Sequence, residues 1–150
     1  MLTITRLDID DASVLITGAR VKATEIGVPM CIAVTDESGN LIAFERMNGG
    51  KITSINLAID KGFTATGIQK STQALGEVNQ PGKPAHGISS TLGGRMVVVA
   101  GGIPVMSDGA VVGGIGVSSG SPSQDHEVAQ AGVDAFSKIK QNNKSLRSHT

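Results

Sequence analysis

Two tight-turn signals constrain this chain more than anything else in it. The tetrapeptide ESGN at residues 37–40 separates the short β-rich runs MCIAVTD and LIAFERM, and SDGA at 107–110 separates IPVMS from AVVGGIGVS. Gly39 with Asn40, and the Asp108-Gly109 pair, tolerate the positive φ values of short hairpin turns, so each pair of runs must fold back as neighbouring antiparallel strands. A further β-branched run, RMVVVA at 95–100, predicts one more strand just ahead of IPVMS.

Helical periods flank these runs. Asp8, with Asp11 three residues on, reads as a helix start, and Ala12, Leu15, Ala19, Ala23 and Ile26 recur at spacings of three and four until Gly27 and Pro29 stop them. Ile52, Ile55, Ile59 and Phe63 predict the inner stripe of a second helix ending near Gly67, with Lys51, Asn56, Asp60 and Lys70 outside. The last helix opens on Ser121 as cap, Pro122 at the first helical position and Gln124 completing a capping box, and Val128, Ala131, Ala135 and Ile139 form its stripe. From Ser71 to Leu92 no period is sustained and Gly and Pro interrupt the chain, which predicts a long surface excursion of the kind that is functional or disordered in compact domains. The order α-β-β-α-loop-β-β-β-α has no β-α-β alternation. It predicts an α+β fold with a central antiparallel sheet flanked by helices, as a single domain over residues 1–141 with a polar, frayed C-terminal tail at 142–150.

Composition narrows the partners. Lys plus Arg equal Asp plus Glu at 13 each, so no overall field recruits phosphate backbones or anionic lipid. Tyr and Trp are absent, and Phe44, Phe63 and Phe136 alone cannot build a stacking platform, so nucleic acid is not an expected partner. The N-terminus MLTITRLDIDD lacks a basic region followed by an apolar core, and no apolar run approaches membrane length, so the expectation is a soluble cytoplasmic protein without a membrane partner. Cys31, the one cysteine, sits in the apolar run MCIAV and reads as a buried small hydrophobe.

Glycine inside a strand is tolerated where another backbone or a ligand must come close. Gly113, Gly114 and Gly116 lie inside one predicted strand, and Gly101 with Gly102 lie one strand earlier. Brought side by side they strip side chains from a patch of the sheet, leaving either a ligand floor or the seat of a helix. The following turn, SSGSPSQD, offers N–H groups at a helix N-terminus. Asp125 and Glu127 already place negative charge in that first turn, so capping is the better account of Ser121 and Asp125.

The segments GGIPVMSDGAVVGGIGVSSGSPSQDHEVAQAG, IGVPMCIAVTDESGNLIAFERMNG and SINLAIDKGFTATG together resemble the GlcG/HbpS family of small haem-binding and PduO C-terminal-like domains. The resemblance runs from about Leu7 to Phe136, with Ser119 where a glycine is common and Gly62 where an alanine is frequent. It implies a profilin-like α+β fold, frequent homo-oligomers, and a small-molecule ligand, with non-covalent haem or a related tetrapyrrole as the implied cofactor. Other members resemble small cofactor-independent catabolic enzymes, and fold alone does not choose between them.

The family's ligand pocket, carried over by motif, lies between the second helix, the long loop and the Gly-Gly strand. That points to Lys61 and Thr64 in DKGFTATG, to the loop PGKPAHGI, and to Gly101 with Gly102. Three positions apart, Lys61 and Thr64 share a helix face beside the stripe of Phe63 and suit a pocket rim; the plainer account is a solvated lysine and a packing threonine. His86 stands alone in a Gly/Pro-rich loop, where an imidazole serves as axial base for haem iron, as a proton-transfer group, or simply as a surface histidine. Arg95, directly after the loop, suits a carboxylate, whether a haem propionate or an acid substrate. His126 is expected to be exposed and His149 to lie in the tail. A haem carrier would use Lys61, Thr64, His86, Arg95, Gly101 and Gly102, with His86 at the iron. An enzyme acting on a carboxylated catabolite would use His86 as base and Arg95 as anchor, and a third reading is an oligomerisation module.

Overall fold

The computed structural model describes residues 1–148, so His149 and Thr150 lie outside the described residues. In chain order the elements are α1 (Ile9–Glu25), β1 (Cys31–Asp36), β2 (Leu41–Arg46), α2 (Ser54–Ile68), α3 (Thr72–Val78), two short 3-10 turns, β3 (Gly102–Ser107), β4 (Ala110–Ser118) and α4 (Pro122–Arg147). The helix start read at Asp8 and the capping box read at Ser121 both form, each as a capping box: Asp8 and Asp11 exchange side-chain bonds with each other's backbone N–H, and so do Ser121 and Gln124. Asp108 and Gly109 take φ values of 50° and 80°, the left-handed pair that a tight hairpin demands. The two hairpins join through β1 and β4 into one antiparallel sheet of order β2-β1-β4-β3.

Alternation along the strands divides the two faces of this sheet. Ile32 and Val34 of β1, Ile103 and Val105 of β3, and Ile115 and Val117 of β4 enter the main core with Leu15 and Ala19 of α1 and Val128 and Phe136 of α4. On the other face Cys31 and Ala33 meet Ala58 of α2 in a smaller cluster. Cys31 is fully buried, as its apolar setting predicts.

The in-strand glycines are the seat of α2. A methyl at Gly116 would overlap the carbonyl oxygen of Ala58, one at Gly114 the hydroxyl of Thr66, and one at Gly102 the carbonyl oxygen of Lys61. The helix backbone therefore lies directly on the strands, and its inner face is built of Ser54, Ala58, Lys61, Gly62 and Ala65. This corrects the predicted stripe: Ile52 is exposed, and Ile55, Ile59 and Phe63 are only partly buried, because a glycine floor leaves no depth for large side chains.

Four other expectations change. RMVVVA is not a strand; residues 95–100 run irregularly outside the sheet, with the Val98 carbonyl backed closely by Gly76 of α3. The excursion from Ser71 contains α3, capped by the Ser71 hydroxyl on the Ala74 N–H. The core side of α4 is Asp125, Val128, Ala129, Gly132 and Phe136, while Ala131 and Ala135 pack toward Gly18 of α1 and Ile139 is exposed. The same helix continues through 142–147, so those residues are helical and exposed where a frayed tail was expected. None of the described helices is long and apolar enough to cross a membrane.

Two glycine substitutions separate floor from surface. Gly116→Ala is expected to lower stability by about 1–3 kcal/mol or more through overpacking against α2. Gly67→Ala, on the exposed side of α2 with nothing within 4 Å of the added methyl, is expected to raise it by up to about 1 kcal/mol. Urea midpoints of the two variants test both signs.

Candidate functional site

Laid flat on its glycine floor, α2 carries one long side chain on its inner face, Lys61, and that chain is 2% exposed. Its Nζ donates to Asp125 Oδ2 at 2.8 Å and to the Val117 carbonyl at 2.9 Å. The Gly120 N–H donates to the other carboxylate oxygen, Oδ1, at 2.9 Å. The end of β4, the turn after it and the first turn of α4 thus converge on one lysine. Gly101 passes over the pair with a φ of 125°, and a methyl there would sit 2.9 Å from both Nζ and the Asp125 Cβ. Burial pushes the Lys61 ammonium below its usual pKa, and the hydrogen bond and charge of Asp125 pull it back up.

Beside the pair lies a cavity of about 260 Å³ whose lining includes Lys61, Asp125, Ser54, Ser118, Ser119 and Lys51. The Ser118 hydroxyl donates to Ser54 Oγ at 3.2 Å, and Ser119 Oγ accepts the Lys51 N–H at 3.0 Å. A larger open groove of about 690 Å³ adjoins it, sharing Val99 and Pro122 and floored by Gly76, Glu77 and Gln80 of the α3 region.

The residues singled out by sequence separate into three places. Lys61 and Gly101 meet at the buried pair, and Gly102 stands next to them, its N–H donating to Thr72 Oγ1 at 2.9 Å. Lys61 is therefore neither solvated nor on a rim, and it is Phe63 that is turned partly outward. Thr64 is fully buried; its hydroxyl lies within 2.7 Å of the Asp60 carbonyl and 3.1 Å of the Arg95 carbonyl, and accepts the Val97 N–H at 3.0 Å. It pins the 95–97 segment to α2 and lines no rim. Arg95 sits on the surface, its Nε 2.9 Å from Asp60 Oδ1 and its guanidinium 3.8 Å above the Phe63 ring.

His86 is exposed on the loop after α3, and its Nδ1 lies 3.2 Å from the Asn79 carbonyl oxygen. A carbonyl only accepts, so Nδ1 carries a proton, and in the neutral ring the lone pair is on Nε2. The Asn79 side chain also accepts the Gly87 N–H at 3.1 Å, which fixes the loop beside the ring. Neither His86 nor Arg95 lines the two cavities just described. Sequence reasoning missed Asp125 as an ion partner, since its position at a helix start already accounted for an acid there. It also placed His126 on the surface, whereas the residue is half-buried and its Nδ1 has no hydrogen-bond partner among the described residues.

The family model of haem degrading protein HbpS-like matches residues 7–134. The chain belongs to that family. It is 36% identical over 118 residues to an uncharacterized 15.0 kDa protein of the dhaT-dhaS intergenic region of Citrobacter freundii, spanning 79% of this chain and 83% of that one. Among solved structures, Klebsiella pneumoniae protein ORFY superposes with a TM-score of 0.89 at 29% identity, covering 91% of this chain and 94% of the other. A PduOC:haem complex superposes with a TM-score of 0.84 at 33% identity, covering 87% and 95%. The α+β fold implied by the resemblance is the fold of these neighbours.

The charge pair makes its own prediction. Asp125→Ala leaves a buried ammonium without its counter-charge and is expected to cost about 3–5 kcal/mol. Lys61→Met combined with Asp125→Asn removes both charges, keeps an acceptor for the Gly120 N–H, and is expected to recover about half of that loss. Denaturant unfolding of the single and double variants decides the matter; a double variant no more stable than Asp125→Ala would contradict the charge-pair account.

Proposed function

We propose that the protein binds haem non-covalently, with His86 as the axial base of the iron. Membership of the HbpS-like family and a structural neighbour described in complex with haem support this reading. The observation on this chain that carries it is the setting of His86: Nδ1 is held by the Asn79 carbonyl, leaving the exposed ring free to present Nε2. A metal-ligating imidazole is typically oriented by such a bond from its other nitrogen.

The nearby groove offers a flat ligand a mixed lining, with Gln73, Glu77, Gln80 and Ser123 as its polar part. Asn79 adjoins Gln80, which closes one side of the 690 Å³ groove, and Val98, Val99, Ala100 and Pro122 give that groove an aliphatic wall in place of aromatic ones. Arg95 is 44% exposed and bound to Asp60 through Nε, so its terminal guanidinium nitrogens remain available to a propionate. Lys61, Thr64 and Gly102 serve by position: the first is engaged with Asp125, the second pins the 95–97 segment, and the third seats α2. Bound haem would supply an iron centre tuned by its axial imidazole. The acid-base alternative, His86 as base with Arg95 as anchor, gains no support from a cavity common to the two residues.

Haemin titration of the apo-protein, followed at the Soret band, tests the reading. The expected result is saturation at one haem per chain, with the saturable component lost or its band shifted in His86→Ala, an exposed substitution that leaves the core intact. A featureless linear rise in both proteins would overturn haem binding, and an unchanged titration in the variant would remove His86 from the iron. The family resemblance also carries homo-oligomerisation, which light scattering on the same samples reads.

A further inference from the structure

The buried pair contacts no ligand in the haem reading, and stability is a weak reason for its presence. Removing two charges from water costs more than their attraction commonly returns, so a well-packed apolar pair would hold α2 to α4 at least as firmly. What the pair offers instead is an amine and a carboxylate in hydrogen-bond contact at the wall of a small cavity. An ammonium has three donors; two are engaged, on Asp125 and on the Val117 carbonyl. Gly101 lacks the methyl that would press on Nζ at 2.9 Å.

We propose that Lys61 is an amine nucleophile that forms a Schiff base with a small 2-oxo acid admitted to the 260 Å³ cavity. Asp125 Oδ2 takes a proton from the Lys61 ammonium, and the freed lone pair attacks the carbonyl carbon while the C=O π electrons move to oxygen. A proton passes from nitrogen to that oxygen to give the neutral carbinolamine. The acid form of Asp125 then protonates the hydroxyl, water leaves, and the nitrogen lone pair closes the protonated imine. One carbonyl and one ammonium become one iminium and one water, with no change of oxidation state. Burial, which holds the ammonium below its usual pKa, favours the neutral amine that the step needs.

The cavity sets the substrate class. Its volume lies just below the range of pockets that take drug-sized ligands, which suits a small occupant. Ser54 and Ser119 are 3% and 8% exposed. Each has its oxygen engaged as an acceptor and a hydroxyl proton without an acceptor among the described residues. Lys51 also contributes to the lining, and among the described residues Asp125 is the one acid there, so the hydroxyl donors suit a carboxylate attached to the reacting carbonyl.

Reductive trapping tests this on the haem-free wild-type chain, so its failure leaves the haem titration standing and the reverse holds too. Protein is incubated with pyruvate and borohydride, and the adduct is read by intact mass and located by peptide mapping. The expected result is a single adduct at Lys61, with Lys51 and the exposed lysines unlabelled. No adduct, or labelling spread evenly over surface lysines, overturns the proposal. Asp125→Asn, checked for folding by circular dichroism, is expected to trap about tenfold or more slowly. If that variant does not fold, the wild-type peptide map alone decides. Equal trapping in a folded variant overturns the proton-transfer role of Asp125.

Discussion

Everything on one face of the sheet follows from the direct contact of a helix backbone with two strands. Gly102, Gly114 and Gly116 remove the side chains that would hold α2 away, and the carbonyls of Ala58 and Lys61 occupy the space. A helix seated that low can place only small groups beneath it, so its inner face is Ser, Ala, Gly and Thr, and the apolar core moves to the opposite face between the sheet, α1 and α4. The one long residue on that inner face has no depth to occupy and must run along the sheet to where the strand ends. There it meets the Val117 carbonyl and the first turn of α4.

That meeting turns a packing constraint into an electrostatic one. The Asp125 carboxylate accepts from the Gly120 N–H and from Lys61, so the turn after β4, the start of α4 and the middle of α2 are joined by charge-assisted bonds in a site sheltered from solvent. Gly101 belongs to the same arrangement: its positive φ and missing side chain let the segment entering β3 cross the pair without displacing Nζ. Removing one charge leaves the other buried, so the pair is tolerated only as a unit. The surface ion pair of Arg95 with Asp60 is different in kind, exposed to screening and contributing little to stability.

Local chemistry was legible in the sequence wherever a feature is decided by neighbours in the chain. The caps at Asp8 and Ser121, the Asp108-Gly109 turn and the two hairpins all depend on residues within three or four positions, and all appear as read. The glycines announced a close approach without saying of what, since a ligand and a helix backbone ask the same of a strand. The stripe of α2 was misread for a tertiary reason: Ile55, Ile59 and Phe63 have the correct period, but the floor beneath them is too shallow. RMVVVA has strand composition, yet Thr64 holds the Val97 N–H that a ladder would need. The pairing of Lys61 with Asp125 spans 64 positions and left no local trace. Its one available signal was a lysine in register with Ser54, Ala58 and Ala65 on a helix otherwise buried by small residues.

The two cavities are not independent, because Val99 and Pro122 belong to the walls of both. Val99 is 44% exposed and lies outside any helix or strand, in the irregular segment between Thr64's grip on Val97 and the glycine at 101. A flat ligand pressed against Val99 from the groove must alter the space open to a small one beside Lys61. Linkage makes that influence mutual: whatever the groove's occupant does to binding in the cavity, the cavity's occupant does to the groove by the same factor. The sign depends on whether Val99 is drawn toward the groove or pushed into the cavity. The 95–101 segment is thus the place where a haem site and an amine site on one small domain would communicate.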